Sequence, residues 1–250
     1  MTLFGYRIPM MASLLVWGVI WEIVGRSEVL FLIPPLSDVL VAAVALVQTG
    51  TWQAAALTTL NSFAIGMFFA ITVGVILGMA MGRFAAVDNL FGIWVNIFVS
   101  APLSALVPVL MILFGMGDTT VIVTVFLFAV WIVVLDTRAG IQSVQPSLIE
   151  MGRSYGASSW ALYSKIIVLA ALPEILAGVR LGLVRGVKGV VIGQLLVSIV
   201  GYGELFELYS RNFDMKNFWA LTIMLFAVAM LMSALIESIE KRVDYYAGVR

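Results

Sequence analysis

Residues 53–82 read QAAALTTLNSFAIGMFFAITVGVILGMAMG, an interval without one ionisable side chain. As a single α-helix it is about 45 Å long at 1.5 Å per residue, longer than a bilayer's hydrocarbon core is thick. It therefore crosses at a tilt or begins outside the hydrocarbon. Gly66, Ala70, Gly74, Gly78 and Gly82 recur in it at every fourth position. Such a ladder strips one helix face of bulk and admits a second helix closely, the usual device where lipid offers no hydrophobic drive for association. Gly178, Gly182 and Gly186, then Gly189 and Gly193, repeat it later.

The rest of the chain is of the same kind. It is 62% apolar and only 11% charged, where a soluble domain has about a quarter of its residues charged. The expectation is an all-α polytopic membrane protein, one transmembrane domain over residues 1–250. Its six spans would cover about 8–25, 53–82, 89–114, 121–137, 174–200 and 218–236. The first follows Arg7 and has no A-x-A-like cleavage site, while Glu22, Arg26 and Glu28 close it, so it reads as retained rather than as a signal peptide. Phe31 to Pro35 is extended, and Ser37 or Asp38 can cap an amphipathic helix to Gln48 on the outer surface.

Absent residue types exclude several chemistries. Without cysteine there is no disulfide frame and no Cys-based zinc or iron–sulfur site, and without histidine no readable transition-metal cluster and no histidine catalysis. A formal net charge of zero gives no footprint for nucleic acid.

Prolines and cations mark the candidate pathway. Pro102 and Pro108 interrupt the third span and bend it, which is tolerated where protein or a water-filled cavity receives the freed carbonyls. With Ser100, Ser104 and Met111, this region is either pathway lining or a buried kink. The fifth span is expected to be entered through Arg180, Arg185 and Lys188, as snorkelling anchors or as an anion-handling ring near the inner mouth. Lys188, Gln194 and Ser198 complete the pathway candidates. Gly201 to Asn217 reads as an outer loop.

Residues 138–173, RAGIQSVQPSLIEMGRSYGASSWALYSKIIVLAALP, form the longest interval without an uninterrupted apolar run. Pro146 or Ser147 can open a short helix there, and Ser147 with Glu150 has capping-box spacing. Leu148, Met151 and Tyr155 fall on one face, and Gly156 can end the helix at positive φ. A second amphipathic stretch runs from Trp160 to Ala171, before Pro173. Arg7, Arg83, Arg138, Arg153, Lys165, Arg180, Arg185, Lys188, Lys241, Arg242 and Arg250 lie on the loop's side of this topology. Arg26, Arg211 and Lys216 lie opposite, so the loop and both termini are expected in the cytoplasm.

The run E-M-G-R-S-Y-G at Glu150 to Gly156, with A-A-L-P ending at Pro173, resembles the EAA loop of permease subunits of bacterial ABC importers. I-P-P-L-S-D-V-L at Ile33 to Leu40, A-P-L-S-A-L-V-P-V-L-M-I-L-F-G-M-G at Ala101 to Gly117 and G-Y-G at Gly201 to Gly203 follow the sulfonate, taurine and nitrate group. Met151 and Gly152 replace the two alanines of the loop. Leu169 stands where its first proline usually lies, and Gln194 where that group often has glutamate before G-x-G. The resemblance implies a type I importer permease in the bacterial inner membrane. It pairs with a second copy, takes solute from an extracytoplasmic binding protein, and docks two ATPase subunits that hold ATP and magnesium. The docking residues would be Ser147, Leu148, Glu150, Met151, Arg153, Tyr155, Gly156 and Ala157. The chain itself has no G-x-x-x-x-G-K-[ST] and so no P-loop of its own. No catalytic, cofactor or metal residue is assigned to it. An ion-coupled transporter or channel is the alternative, and the neutral character of mid-span Asn61, Asn96 and Gln194 counts against it.

Overall fold

The structure is a computed structural model that describes residues 2–3, 6–7, 10–27 and 29–247. Side chains are described from residue 12 to 234, with gaps at 28, 229, 232 and 233; the basic tail at Lys241, Arg242 and Arg250 lies outside them. Apart from a hairpin pairing Thr2–Leu3 with Tyr6–Arg7, the architecture is helical. In order come α1 (Met10–Arg26), α2 (Leu36–Val47), α3 (Gly50–Arg83), α4 (Ala85–Ser100), a 3₁₀ turn (Leu103–Leu106) and α5 (Val107–Phe114). Then follow α6 (Asp118–Gln142), α7 (Pro146–Ser154), α8 (Ser159–Leu162), a π-turn (Tyr163–Ile167), α9 (Val168–Val197), α10 (Tyr202–Arg211) and α11 (Met215–Ala247).

Both glycine ladders pack against α6, except that Gly186 of the second meets Met67 and Phe63 of α3. A Cβ added at Gly66 would lie 2.7 Å from Val125 Cβ, at Gly74 2.8 Å from Val133 Cβ, at Gly78 2.6 Å from Thr137 Cβ and at Gly82 2.6 Å from Ile141 Cβ. The partners advance in step, so α3 and α6 run parallel. On α9, positions Gly178, Gly182 and Gly189 meet Asp136, Val133 and Phe128 in descending order, so α9 runs antiparallel to α6. The α6 row facing α3, Val121, Val125, Ala129, Val133, Thr137 and Ile141, is buried throughout. Small-residue faces here give backbone-close packing as expected.

Because α3 and α6 are parallel, residues 85–114 must carry the chain back across the membrane between them. They do so as a broken span: α4 and the Leu103–Phe114 segment meet at 98°. The third span is thus broken rather than bent: Pro102 stands at the break and leads into the 3₁₀ turn, while Pro108 falls in the first turn of α5, where its missing donor costs nothing. Among the described residues, α3, α6 and the continuous helix Ser159–Val197 are each long and apolar enough to cross, and the broken pair adds a fourth crossing. α1 has 17 residues. Leu36–Val47 and Met215–Val228 are shorter apolar stretches.

Several expected boundaries move. The fifth span does not begin after Pro173: the helix runs unbroken from Ser159, with Pro173 inside it and its neighbours Ala171 and Ile175 buried in a cluster with Ile141. Ser37 and Asp38 do not cap α2. Its first turn is met by a carboxylate from α1: the Ser37 amide donates to Glu22 Oε2 and its hydroxyl to Glu22 Oε1, both at 2.9 Å. The segment expected as an outer loop, Gly201 to Asn217, contains α10, whose Leu205 and Phe206 pack with Ala55 and Leu221. The Asp88–Arg138 ion pair, 2.6 Å Oδ1 to Nε and 2.7 Å Oδ2 to Nη2, ties α4 to the loop end of α6.

Candidate coupling loop and translocation face

The loop after α6 is built around a proline and two glycines. Pro146 occupies the first turn of α7, where its missing amide hydrogen costs nothing. Gln145 is the N-cap residue, no side-chain cap forms, and the capping box of Ser147 with Glu150 is not made, because the proline start places Ser147 inside the helix. Gly156, at φ +76°, closes α7 as expected. Its amide donates to Arg153 O (2.9 Å) and that of Ala157 to Gly152 O (3.1 Å), the paired bonds of a Schellman end. Ser158 then caps α8, its hydroxyl accepting from the Ala161 amide at 3.3 Å.

Gly152 is where α7 touches the helix that follows. It is buried, and a Cβ there would come within 2.5 Å of Ile166 Cδ1 and 2.7 Å of Leu162 Cδ1. The glycine that departs from the loop's alanine pair therefore sets how closely α7 lies on α8 and the π-turn. The next anchor is the Tyr163 hydroxyl, which donates to Met79 O on α3 at 3.0 Å. With its inner side held, α7 turns its other residues outward. Leu148 is half-buried, while Ser147, Glu150, Met151, Arg153 and Tyr155 are exposed, Tyr155 at 86%. Trp160, 77% exposed, extends this apolar edge. Sequence reasoning placed Trp160 only at the start of an amphipathic stretch. Its signal was the spacing from Tyr155 across a glycine turn.

The pathway candidates divide into two groups. Ser100, Pro102, Ser104 and Pro108 are exposed along the broken span, and Lys188 is exposed on α9. Met111 is half-buried against the central core. Gln194 is only 2% exposed and faces inward, its Nε2 donating to Thr59 Oγ1 at 2.9 Å, while that hydroxyl donates to Ala55 O at 2.8 Å. Ser198 ends α9 in the left-handed region at φ 57°. Arg180, Arg185 and Lys188 do not stand on the first turns of their span, contrary to expectation, because the helix starts at Ser159.

Gln194 also explains G-Y-G. A Cβ at Gly203 would fall 2.0 Å from the Gln194 carbonyl oxygen, and one at Gly201 2.2 Å from its Nε2, so only glycine lets α10 fold down over the end of α9. Beside this contact is a cavity of about 270 Å³ lined by Trp52, Thr59, Phe63, Gln194, Tyr202 and Leu221, among others.

Several known proteins share this chain's sequence pattern. A probable ABC transporter permease protein of Brucella melitensis is 25% identical over 226 residues, 90% of this chain and 92% of that one. The taurine transport system permease protein TauC of Escherichia coli is 27% identical over 79% of this chain and 71% of its own. The carnitine transport permease protein OpuCD of Listeria monocytogenes is 32% identical over 62% of this chain and 67% of its own. Among solved structures, an inward-facing form of the MetNI methionine ABC transporter matches with a TM-score of 0.62 at 20% identity, over 75% of this chain and 93% of that one. An amino acid ABC transporter matches with a TM-score of 0.57 at 17% identity, over 73% and 91%. These structures share the fold, that of type I importer permeases. The model of the binding-protein-dependent transport system inner membrane component matches residues 70–245, and the chain belongs to that family, the membrane-embedded permease subunits of ABC importers, whose ATPase is a separate subunit.

Proposed function

We propose that this chain pairs with a second, identical copy to form the translocation pathway for a small solute such as a sulfonate, taurine or nitrate. ATP, with magnesium, is held by two ATPase subunits docked on the loop, and an extracytoplasmic binding protein delivers solute to the outer face. The observation that carries the reading is the α7–α8 edge. Met151, Tyr155 and Trp160 are apolar and exposed on a segment fixed to α3 through Tyr163 and to its own span through Gly152. Helix-in-groove docking needs such anchors, with Glu150 and Arg153 setting register. Ser147 and Leu148 begin the docking face, and Gly156 and Ala157 end it. The pathway runs past Ser100, Pro102, Ser104, Pro108 and Met111 on one side and α9 from Lys188 to Ser198 on the other, with Gln194 bracing its outer end. Both termini lie in the cytoplasm, on the loop's side. Transport follows by rigid-body alternating access.

The test is co-purification of the detergent-solubilised chain from its native membrane. A P-loop ATPase is expected to accompany it and to be released by Leu148→Asp or Gly156→Asp. Retention of the ATPase by both variants overturns the docking assignment. Absence of any ATPase from the unsubstituted chain overturns the permease reading.

A further inference from the structure

Lys188 occupies a place in the membrane that lipid does not tolerate. Its depth follows from packing: a Cβ at the adjacent Gly189 would meet Phe128 Cβ at 3.0 Å and Val125 Cα at 3.1 Å on α6. α6 carries no ionisable residue between Asp118 and Asp136, and Val125 to Phe128 lie at the middle of that stretch. Lys188 thus sits near the bilayer midplane. It is exposed on the subunit surface and makes no hydrogen bond or ion pair among the described residues. Nine residues separate it from Val197 at the end of α9, about 13 Å at 1.5 Å per residue, farther than a four-carbon stem snorkels. Against acyl chains such a cation costs about 2.5–3.5 kcal/mol. Its face therefore looks onto water or protein.

Arg185 stands three residues earlier, on the same face. It is half-buried, and its Nη1 reaches Val99 O at 3.5 Å in the last turn of α4, just before the break. The remaining residues of this α9 face, Leu181, Val184, Ile192 and Leu195, are aliphatic. The α9 face itself carries two cations, no carboxylate and no aromatic ring; across from it, the Asp136 carboxylate of α6 lies within electrostatic reach of Arg185.

We propose that Lys188 is a specificity-determining residue that meets the anionic group of the transported solute, a sulfonate, carboxylate or similar oxyanion, with Arg185 raising the local potential behind it. This rests on the permease reading above and narrows its solute class. The relatives' names include both taurine and carnitine or choline. A lone quaternary ammonium is recognised by aromatic faces and would be repelled here. A sulfonate finds a hydrated point charge that can bind it and release it.

The chain's lack of cysteine makes the test direct. Lys188→Cys is introduced, the complete complex is placed in proteoliposomes, and labelling of this chain is followed with an anionic sulfonatoethyl and a cationic trimethylammonioethyl methanethiosulfonate. Both reagents are expected to react, the anionic one roughly tenfold faster relative to its rate with free thiol, as focused potentials produce. Arg185→Gln is expected to remove that preference. In parallel, Lys188→Arg keeps uptake of taurine or methanesulfonate and Lys188→Gln loses it, with complex assembly followed by size exclusion. A complex that retains its ATPase but does not react at position 188, or reacts with no preference for the anionic reagent, overturns the proposal. If no ATPase accompanies the unsubstituted chain, the permease reading fails first and this proposal with it.

Discussion

Gly78→Ala tests whether the α3–α6 contact is as close as the backbone places it. The new methyl carbon would stand 2.6 Å from Thr137 Cβ and 2.8 Å from the Val134 carbonyl oxygen. Carbon atoms in contact settle at about 3.5–4.0 Å, so the helices must part by about 1 Å. Neither obstacle can swing away, since one is main chain and the other is a branched carbon next to it. Overpacking of this kind costs about 1–3 kcal/mol. Alanine also favours helix over glycine by about 1 kcal/mol, which would mask part of the loss. Gly92→Ala on α4 supplies the reference, because its nearest neighbour is Asp88 Oδ1 at 3.8 Å, so it gains the same propensity without the clash. The difference between the two variants is therefore the steric cost alone. In thermal unfolding of the purified protein, Gly78→Ala should melt below Gly92→Ala by about 2–4 °C for each kcal/mol. Equal midpoints, or a higher one for Gly78→Ala, would refute the parallel close packing and the register derived from it.

Other outcomes follow from single contacts. Arg138→Gln should destabilise the protein by about 1–3 kcal/mol by leaving the Asp88 carboxylate without its partner, and adding Asp88→Asn should restore part of that in a double-mutant cycle read by the same unfolding assay. Gly152→Val drives a side chain into Ile166 and Leu162, so ATPase capture by the complex should fall at least about tenfold while the chain still inserts, a loss near 1.4 kcal/mol. Tyr155→Asp and Trp160→Asp alter exposed positions and should leave thermal stability within about 0.5 kcal/mol yet weaken docking in pull-down. Gly203→Ala cannot be accommodated against the Gln194 carbonyl, and limited proteolysis should find the segment around α10 cleaved faster.

The sequence disclosed the small-residue faces, since a glycine every fourth position has few other meanings in an apolar helix. It did not disclose that both faces share α6. The matching signal was present, a row of β-branched and small residues from Val121 to Ile141, but it lay within a run apolar all round, where no polar face singles out a stripe. Proline overruled serine as a cap at both short helices: α2 starts after Pro35, ahead of the Ser37 or Asp38 cap, and α7 starts at Pro146, one of its two expected openings, which leaves Ser147 inside the helix without its capping box. Pro173 misled in the other direction. In a helix packed on its neighbours at Ala171 and Ile175, a missing hydrogen bond is outweighed by tertiary contact. Gln194 was legible as a polar residue within a span. Its partner Thr59 lies 135 residues away, and no local rule connects them.

The close packing of α3, α6 and α9 has a mechanical consequence. Three helices packed this closely cannot bend independently, so the unit behaves as a stiff beam. α6 alone has 25 residues, about 37 Å of lever at 1.5 Å per residue. A pivot of about 10° at its outer end, where Gln194 and Thr59 join α9 to α3, carries its inner end through about 6 Å, close to one helical turn of 5.4 Å. Because Tyr163 ties the segment after α7 to Met79 of α3 and Gly152 seats α7 on Leu162 and Ile166, displacement applied at the loop is passed to the whole three-helix unit without being lost in soft joints.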